Sequence, residues 1–427
     1  MTFVLNKCRQ ILAKFAYAAR IAVNKLRPAA NTRYNLRKNS GECMSLYIYE
    51  LEDWPRFYWD YERIGESLPA ARYAQGRLVG RIEALGFHLR QEAVLETLTA
   101  DVVMSSDIEG EKLDTQQVRS SIARRLGIDI GALKATDRAV EGVVEMMLDA
   151  TGHYDRALTA DRLFDWHGSL FPSGRSGMHK IRVAAWRDDA NGPMQVVSGP
   201  LGRELVHFEA PAAARLDSEM QAFLDWFNTD LEVDPVLKAG LAHLWFVTIH
   251  PFDDGNGRIA RAIADMALAR SERSPRRFYS MSAQIREERE AYYRILEQTE
   301  KGTMDVTHWM DWFLRCLGRA IDGAESLLGA VLSKAGFWER IRDVPLNDRQ
   351  RAVLNRLLDG LEGKLTTTKY AKLAKCSQDT ALRDMTQLLE LGILVRGPQG
   401  GRSTSYQLSS RPKKSLRSGF IKREIML

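Results

Sequence analysis

The most informative stretch of this sequence is His250-Pro251-Phe252-Asp253-Asp254-Gly255-Asn256-Gly257-Arg258-Ile259-Ala260-Arg261. The preceding run VLKAGLAHLWFVTI, residues 236–249, has the apolar periodicity of a buried helix. The glycines then predict a turn, and a second helix is predicted to begin near Arg258. The turn therefore lies at a helix N-terminus, where unpaired backbone N–H groups and the helix dipole favour an anion.

The residue types in this stretch suit a metal-phosphate site. Arg258 and Arg261 are three apart and share a helix face, so both can contact one polyphosphate. Asp254 offers the hard oxygen ligand that Mg²⁺ accepts beside phosphate oxygens. An unperturbed imidazole titrates near neutral pH, so His250 can take a proton from an attacking hydroxyl. A histidine at a helix end is usually structural, but the whole combination favours a functional site.

The stretch resembles the signature of the Fic family, HxFx(D/E)GNGRxxR, with every specified position filled. The resemblance implies a mainly α, Fic-type helical core and transfer of AMP from ATP to a hydroxyl side chain of a target protein, which can be the chain itself. It implies His250 as general base, Asp254 as the Mg²⁺ ligand and Phe252 as a buried anchor. The positions that it assigns to the ATP phosphates are Gly255, Asn256, Gly257, Arg258 and Arg261.

An upstream stretch, Ser105-Ser106-Asp107-Ile108-Glu109-Gly110, resembles the (S/T)xxxE(G/N) inhibitory motif of many Fic proteins. The resemblance implies that Glu109 pairs with Arg261 and keeps the γ-phosphate of ATP out of its productive position, with Ser105 and Gly110 completing the motif. We expect the pair to be bidentate and charge-assisted. An acidic stretch on a helix is usually a solvated face, but the intact signature downstream favours inhibition. In some relatives this glutamate also orients water to remove AMP.

Two β-rich segments, residues 181–186 and 194–197, flank Asp-Asp-Ala-Asn-Gly-Pro and predict a β-hairpin. The resemblance implies a flap over residues 181–199 that holds the target by strand addition, with Val183 and Ala184 beside the nucleotide. The alternative is a hairpin that only covers the core. Many Fic proteins carry glycine in the first flap strand, where this chain has alanine.

A tyrosine pair lies in the segment REAYYRILE, residues 289–297, which resembles the YYxxLE segment of the family. The resemblance implies that Tyr293 lines the nucleotide pocket. The alternative is that both tyrosines belong to the core side of an amphipathic helix.

The chain is predicted to consist of five segments. They are a basic extension (1–43), an N-terminal helical domain with the inhibitory motif (44–150), the Fic core (151–335), a winged-helix domain (336–410) and a basic tail (411–427). Residues 1–43 are interpreted in one of two ways. They form a membrane-surface or transit helix, or they are an upstream extension before a start at Met44, and we favour the extension.

Three helices over residues 347–361, 367–374 and 378–391, followed by strands at 393–395 and 405–408, predict the winged helix. In a DNA-binding version the third helix would enter the major groove. Its predicted face has a net charge of −2, which repels phosphate; the residues are Asp379, Arg383, Asp384 and Glu390. The alternative hypothesis, a DNA-binding transcriptional regulator that uses the Fic core as a nucleotide sensor, is therefore less favoured.

Composition is that of a globular protein, with 45% apolar and 27% charged residues in 427. The 4 cysteines have no metal-ligand spacing, which suits reduced thiols in the cytoplasm. No run reaches the roughly 18–20 apolar residues that span a bilayer, so we expect no membrane partner. The net charge of +6 comes from the basic ends, so it does not favour nucleic acid on the folded body. A homodimer is expected from family habit.

Overall fold

The structure is a computed structural model, and it describes residues 47–83, 87–130, 133–190, 192–199, 203, 205–229, 233–358, 361, 363–397 and 404–409. The predicted extension 1–43, the start at Met44 and the tail 411–427 lie outside these residues. The predicted mainly α fold is confirmed, and the strands of the described chain form two-stranded antiparallel sheets.

Helices make up most of the described chain. The first six are α1 (Tyr61–Ile64), α2 (Ser67–Glu83), α3 (Phe87–Ile108), α4 (Thr115–Leu126), α5 (Arg138–Gly152) and α6 (Ala160–Leu170). The next six are α7 (Leu216–Asn228), α8 (Pro235–Ile249), α9 (Asn256–Glu272), α10 (Met281–Glu287), α11 (Arg289–Glu300) and α12 (Thr307–Arg340). The last three are α13 (Asp348–Leu358), α14 (Thr367–Leu373) and α15 (Gln378–Glu390).

The strands are short and pair with their neighbours in sequence. They are β1 (Arg175–Ser176), β2 (His179–Lys180), β3 (Gln195–Ser198), β4 (Leu205–Glu209), β5 (Leu394–Arg396) and β6 (Tyr406–Leu408). β1 pairs with β2, β3 with β4 and β5 with β6, each antiparallel.

Helix α8 is the predicted buried helix. Pro235 occupies its first turn, where no intrahelical N–H bond is lost, and the Asp234 carboxylate accepts a hydrogen bond of 2.8 Å from the Val236 N–H. The helix is buried along almost its whole length and packs against α7, α9 and α12. Helix α9 begins two residues before the predicted Arg258, because Gly255 takes the left-handed conformation (φ 82°) as its N-cap.

One hydrophobic core runs from Ile48 to Leu328, and a second runs from Phe337 to Leu394. The first core contains side chains from both predicted segments 44–150 and 151–335, so the α3 helix and the α8–α9 pair pack into the same interior. Helix α12 carries the last residues of the first core and the first residues of the second.

The C-terminal elements follow the predicted order of three helices and a hairpin, with β5 and β6 paired from Leu394↔Leu408 to Arg396↔Tyr406. The prediction for Asp384 is wrong, because this residue is 5% exposed and does not lie on the outer face of α15. Its carboxylate accepts hydrogen bonds from Asn347, Arg349 and Tyr370. Assignment of these elements to a winged helix stays a prediction.

The predicted pairing of residues 181–186 with 194–197 is wrong. β3 pairs instead with the downstream strand β4, so the hairpin spans Gln195 to Glu209. Three backbone N–H groups of residues 181–187 donate hydrogen bonds to other parts of the chain, so they do not bond to a partner strand. These bonds are Arg182 to Asp253 Oδ2 (2.7 Å), Ala184 to His167 Nδ1 (3.1 Å) and Arg187 to the Pro251 carbonyl (2.9 Å).

No helix in the described part of the chain is long and apolar enough to cross a membrane. Two cysteines lie in this part, Cys316 and Cys376, and both are free thiols.

Candidate active site

His250 lies at the C-terminus of α8 in a left-handed backbone conformation, with φ 52° and ψ 57°. A side chain in this region costs roughly 1–2 kcal/mol, and such strain is concentrated at functional sites. Buried Arg187 supports the position, since its Nε donates to the His250 carbonyl at 2.8 Å and its Nη2 donates to the Pro211 carbonyl at 2.5 Å. The backbone of His250 is therefore held from outside its own helix.

The imidazole of His250 has a defined tautomer. Nδ1 lies 3.2 Å from the Val247 carbonyl, and because a carbonyl only accepts, Nδ1 carries the proton. Nε2 then keeps its lone pair. Burial lowers the pKa of His250 to about 4, with a smaller contribution of the same sign from Arg187. The side chain is therefore neutral at physiological pH and available as a base.

Phe252 and Asn256 fix the turn that follows. The Phe252 ring is 0% exposed. The Asn256 side chain accepts from the Phe252 N–H at 2.9 Å and donates to the Phe252 carbonyl at 2.7 Å. This side chain is thus taken up within the turn, so any contact of Asn256 with phosphate would have to come from its backbone.

His167 of α6 joins the turn to the 181–187 segment. Its Nε2 lies 3.2 Å from the Asp254 carbonyl and its Nδ1 accepts from the Ala184 N–H at 3.1 Å. The ring stacks on Phe252 with centroids 4.2 Å apart. Burial lowers the pKa of His167 to about 4, so it is a neutral, fully paired side chain of the interior.

Asp254 is half-buried at the N-terminus of α9. One oxygen accepts from the Gly255 N–H at 2.5 Å and the other from the Ser176 hydroxyl. Among the described residues, no group of three or more His, Cys, Asp or Glu is arranged to hold a metal ion alone. A single carboxylate is enough to hold Mg²⁺ when substrate phosphate oxygens and water supply most of its ligands.

Glu109 lies against the first turn of α9. A Cβ added to Gly257 would meet Glu109 Oε1 at 2.2 Å, so the carboxylate lies directly over the backbone of this turn. A carboxylate there interacts favourably with the helix dipole and the free N–H groups. Glu109 thus occupies the place that the sequence predicts for phosphate.

The C-terminus of α3 ends in a Schellman turn that brings Glu109 to this place. Gly110 has φ 85°, Glu111 N–H donates to the Ser106 carbonyl at 3.0 Å, and Gly110 N–H donates to the Asp107 carbonyl at 3.1 Å. A side chain would be strained in this conformation, which explains glycine at position 110. The turn presents the two flanking carboxylates, Glu109 and Glu111, toward α9.

Arg261 is 2% exposed, and α3 supplies its partners. Its Nη2 donates to Glu109 Oε1 and to the Ser105 carbonyl, both at 2.8 Å, and its Nε donates to Ser105 Oγ at 2.9 Å. The predicted contact with Glu109 is present, but the predicted bidentate geometry is wrong, because Ser105 takes the remaining bonds of Nε and Nη2. Nη1 is buried and has no hydrogen-bond partner among the described residues.

Arg258 has a carboxylate partner that the sequence analysis missed. Its side chain is 3% exposed, and Nη1 lies 2.5 Å from Glu111 Oε2. The guanidinium also lies over the Phe171 ring, 5.1 Å from the centroid, while its buried Nε has no partner in the described part of the chain. Both arginines of the signature therefore contact carboxylates from the turn that ends α3. Both also keep a buried donor that suits a phosphate oxygen.

Tyr293 lies beside the end of α3, with its hydroxyl 3.4 Å from the Ile108 carbonyl and its ring under the Arg289 guanidinium. It is 37% exposed, whereas Tyr292 is 2% exposed and hydrogen-bonded to His243 at 2.9 Å. Val183 is half-buried and Ala184 exposed, in the 181–187 segment rather than in a strand. Contacts of these residues with a nucleotide stay predictions.

The sequence analysis missed Glu111, His167 and Arg187, and only the first of these left a signal in the sequence. Glu111 lies two positions after Glu109, and its acidic side chain next to a helix-ending glycine was a usable signal. His167 and Arg187 had none, since their roles depend on contacts with residues more than sixty positions away.

Two parts of this chain match known protein families or domains. Residues 157–268 match the Fic/DOC family, and residues 47–128 match a domain of unknown function, DUF4172. A curated relative named protein adenylyltransferase Fic, from Drosophila willistoni, is 32% identical over 61% of this chain and 47% of its own length. A second with the same name, from Nematostella vectensis, is 37% identical over 26% of this chain and 25% of its own length.

This chain therefore spans about half or less of these two relatives. Among solved structures, a Fic family protein from Desulfovibrio desulfuricans G20 aligns with a TM-score of 0.48 at 21% identity, over 83% of this chain and 98% of that one. The match over residues 157–268 includes the complete signature from His250 to Arg261, so this part of the chain is a Fic/DOC domain.

Proposed function

We propose that this chain is an autoinhibited protein adenylyltransferase, which transfers AMP from ATP to a hydroxyl side chain of a target protein. The observation that carries the proposal is the contact of Glu109 with Arg261, directly over Gly257 in the turn that follows His250. The names of the two curated relatives support the same activity.

The proposed reaction begins at His250. Its Nε2 lone pair takes the proton of the target hydroxyl, and the oxygen attacks the α-phosphorus of ATP while the bond to pyrophosphate breaks. The base is already neutral because burial lowers its pKa to about 4, and its ring is oriented by the bond from Nδ1 to the Val247 carbonyl. Positioning and electrostatics supply most of the rate in such a transfer.

The phosphates are proposed to bind the first turn of α9. Its backbone N–H groups, Arg258 and Arg261 together offer donors and positive charge at one place. Asp254 would hold Mg²⁺, which when bound supplies positive charge against the phosphate oxygens.

Inhibition is proposed to follow from competition for these donors. Glu109 holds Arg261 and covers Gly257, so the γ-phosphate of ATP meets a carboxylate in its place. Glu111 holds Arg258 in the same way, from a side chain that is 48% exposed. ATP would have to displace both carboxylates before its phosphates lie in the productive position.

The test is transfer of label from ATP marked at the α-phosphate, with a whole-proteome lysate as the source of targets. Glu109→Gly should increase labelling, and the double variant Glu109→Gly/His250→Ala should lose it. Glu290→Gln is the matched control, since Glu290 is an exposed carboxylate on α11, and it should label like the parent. Absence of labelling by Glu109→Gly would refute the proposal.

The homodimer, the cytoplasmic location and DNA binding through the C-terminal elements stay predictions from the sequence.

A further inference from the structure

Three side chains outside the candidate active site form a hydrogen-bonded chain between the β3–β4 hairpin and helix α11. Ser198 Oγ lies 2.6 Å from His207 Nε2, and His207 Nδ1 lies 3.2 Å from Glu297 Oε2. Ser198 is exposed on β3, and His207 is half-buried between it and the helix. The order hydroxyl, imidazole, carboxylate is the arrangement that activates a serine nucleophile.

The chemistry of the three groups determines which atom donates and which accepts in each of the two hydrogen bonds. Lys301 donates to Glu297 Oε1 at 2.6 Å and lowers the pKa of this carboxyl, so Glu297 is ionised and only accepts. His207 Nδ1 therefore carries the proton, and Nε2 accepts from the Ser198 hydroxyl. The Ser198 oxygen is thus hydrogen-bonded to a base that is itself oriented by a carboxylate.

These three groups are linked to the candidate active site through helix α11. Tyr293 and Glu297 are four residues apart on α11, so they share a face and lie about 6 Å apart along the helix axis. The Tyr293 hydroxyl contacts the carbonyl of Ile108, the residue before Glu109. The serine is therefore connected to the rim of the proposed nucleotide site through one turn of α11.

We propose that Ser198 is a self-modification site, whose hydroxyl accepts AMP from ATP. The Ser198 oxygen bonds to the α-phosphorus, the bond from that phosphorus to the β-phosphate oxygen breaks, and pyrophosphate leaves with the bonding electrons. For this hydroxyl alone the proton passes to His207 Nε2 instead of to His250, and the Glu297 carboxylate stabilises the imidazolium. The inference rests on the proposed function, because that activity supplies the bound ATP.

The sequence makes the site easy to test. The tryptic peptide of residues 188–203 contains Ser198 as its only hydroxyl side chain. After incubation of the Glu109→Gly protein with ATP and Mg²⁺, mass spectrometry should find one AMP group on this peptide. Ser198→Ala should remove it, Ser198→Thr should retain part of it, and the matched control Ser218→Ala, an exposed serine on α7, should leave it unchanged.

His207→Gln should slow AMP addition to this peptide by at least about tenfold, since a positioned base contributes 10²–10⁴ in rate. Glu297→Gln should slow it less, because the imidazole remains. Labelling of added target proteins by the same variants should stay at the Glu109→Gly level, which would show that the proposed nucleotide site is intact. Equal slowing of both reactions would assign His207 and Glu297 a structural role and overturn the proposal.

A second measurement does not depend on ATP transfer. A fluorophosphonate probe reacts at phosphorus with activated serines, and it should label the 188–203 peptide in the parent protein and lose that label in His207→Gln. Absence of fluorophosphonate label overturns the activated serine whatever the enzyme does with ATP. Fluorophosphonate labelling of Ser198 together with AMP on other peptides alone would overturn the self-modification site but leave the proposed function intact. Absence of all AMP transfer by Glu109→Gly would refute the proposed function and this inference with it.

Discussion

Two segments meet at the first turn of α9, and they are held by different forces. The turn after α8, residues 250–257, is fixed mainly by buried hydrogen bonds and packing, as in the two-bond clamp of Asn256 on Phe252 and the stacked His167 ring. The segment at the end of α3, residues 105–111, is held against α9 by two ion pairs, Glu109 to Arg261 and Glu111 to Arg258, together with the bonds from Arg261 to Ser105.

The difference separates what must stay fixed from what must move. Buried hydrogen bonds break only at a cost in folding stability, so the 250–257 turn keeps the base and the proposed phosphate site in place. Half-exposed carboxylates can be replaced by another anion with little loss. We therefore expect changes in the first segment to alter catalysis or stability, and changes in the second to alter nucleotide affinity.

The largest effect is expected at His250. In the Glu109→Gly background, His250→Ala should lower the rate of AMP transfer by about 10²–10⁴, because the base is lost. Its melting temperature should fall little, since the imidazole makes one hydrogen bond of 3.2 Å within its own helix end. Initial labelling rates and thermal unfolding measure the two quantities. A variant that is as active as its parent would assign the base to another residue.

The second largest effect is expected from acid, which should destabilise the folded protein at buried histidines beside the first segment. Burial lowers the pKa of His167 from 6.5 to about 4 and that of His243 to about 3. Both native values lie below the unfolded value, so the unfolded chain binds more protons as pH falls from about 6.5 towards 3–4. Each residue should cost about 2 kcal/mol of unfolding free energy by pH 5.

Urea unfolding at pH 7 and pH 5 measures this loss. His243→Gln should reduce the difference between the two pH values, whereas His308→Asn, a change at an exposed histidine, should not. An unchanged difference in His243→Gln would show that other groups carry the acid sensitivity.

Asn256→Ala should lower the unfolding free energy by about 2–4 kcal/mol, because the N–H and carbonyl of buried Phe252 lose their partners. AMP transfer should fall with it as the turn loosens. Asn228 is the matched control, since it makes the same two-bond clamp on the Leu158 backbone at 2.8 and 2.7 Å, away from the signature. Asn228→Ala should lower stability and keep activity at temperatures below unfolding. Full activity of Asn256→Ala would contradict the role given to the clamp.

The smallest effect is expected at Glu111. Glu111→Gln should tighten the binding of a non-cleavable ATP analogue about threefold, since one half-exposed carboxylate stops competing for Arg258. Adenosine, which has no phosphate, should bind unchanged, and calorimetry measures both affinities. Glu290→Gln is the control. Equal tightening for adenosine would assign the effect to a general change in the site.

Much of the site could be predicted from the sequence because its contacts are local or repeat a familiar spacing. The helix before His250, the glycine turn and the shared face of Arg258 and Arg261 all follow from residues within one short span. The C-terminal helices and hairpin were found for the same reason, since each has a clear period and a turn signal.

The errors lie where backbone partners are distant in sequence. Residues 181–186 have strand-like composition, but their N–H groups are satisfied by the turn after α8 and by His167, so β3 pairs with β4 instead. Asp384 was placed on an outer face, yet three distant donors hold it inside. Periodicity predicts that a segment is extended or helical, but it does not identify the partner.

The sequence alone was enough to predict the Fic-type signature, the α8–α9 turn and the chemistry available there, because base, carboxylate, glycines and arginines lie within twelve residues. Which charges face those arginines depends on the folded chain, because the Schellman turn of α3 brings Glu109 and Glu111 across a gap of about 150 residues. The same holds for the chain from Ser198 through His207 to Glu297, which exists only because a hairpin and a helix pack side by side.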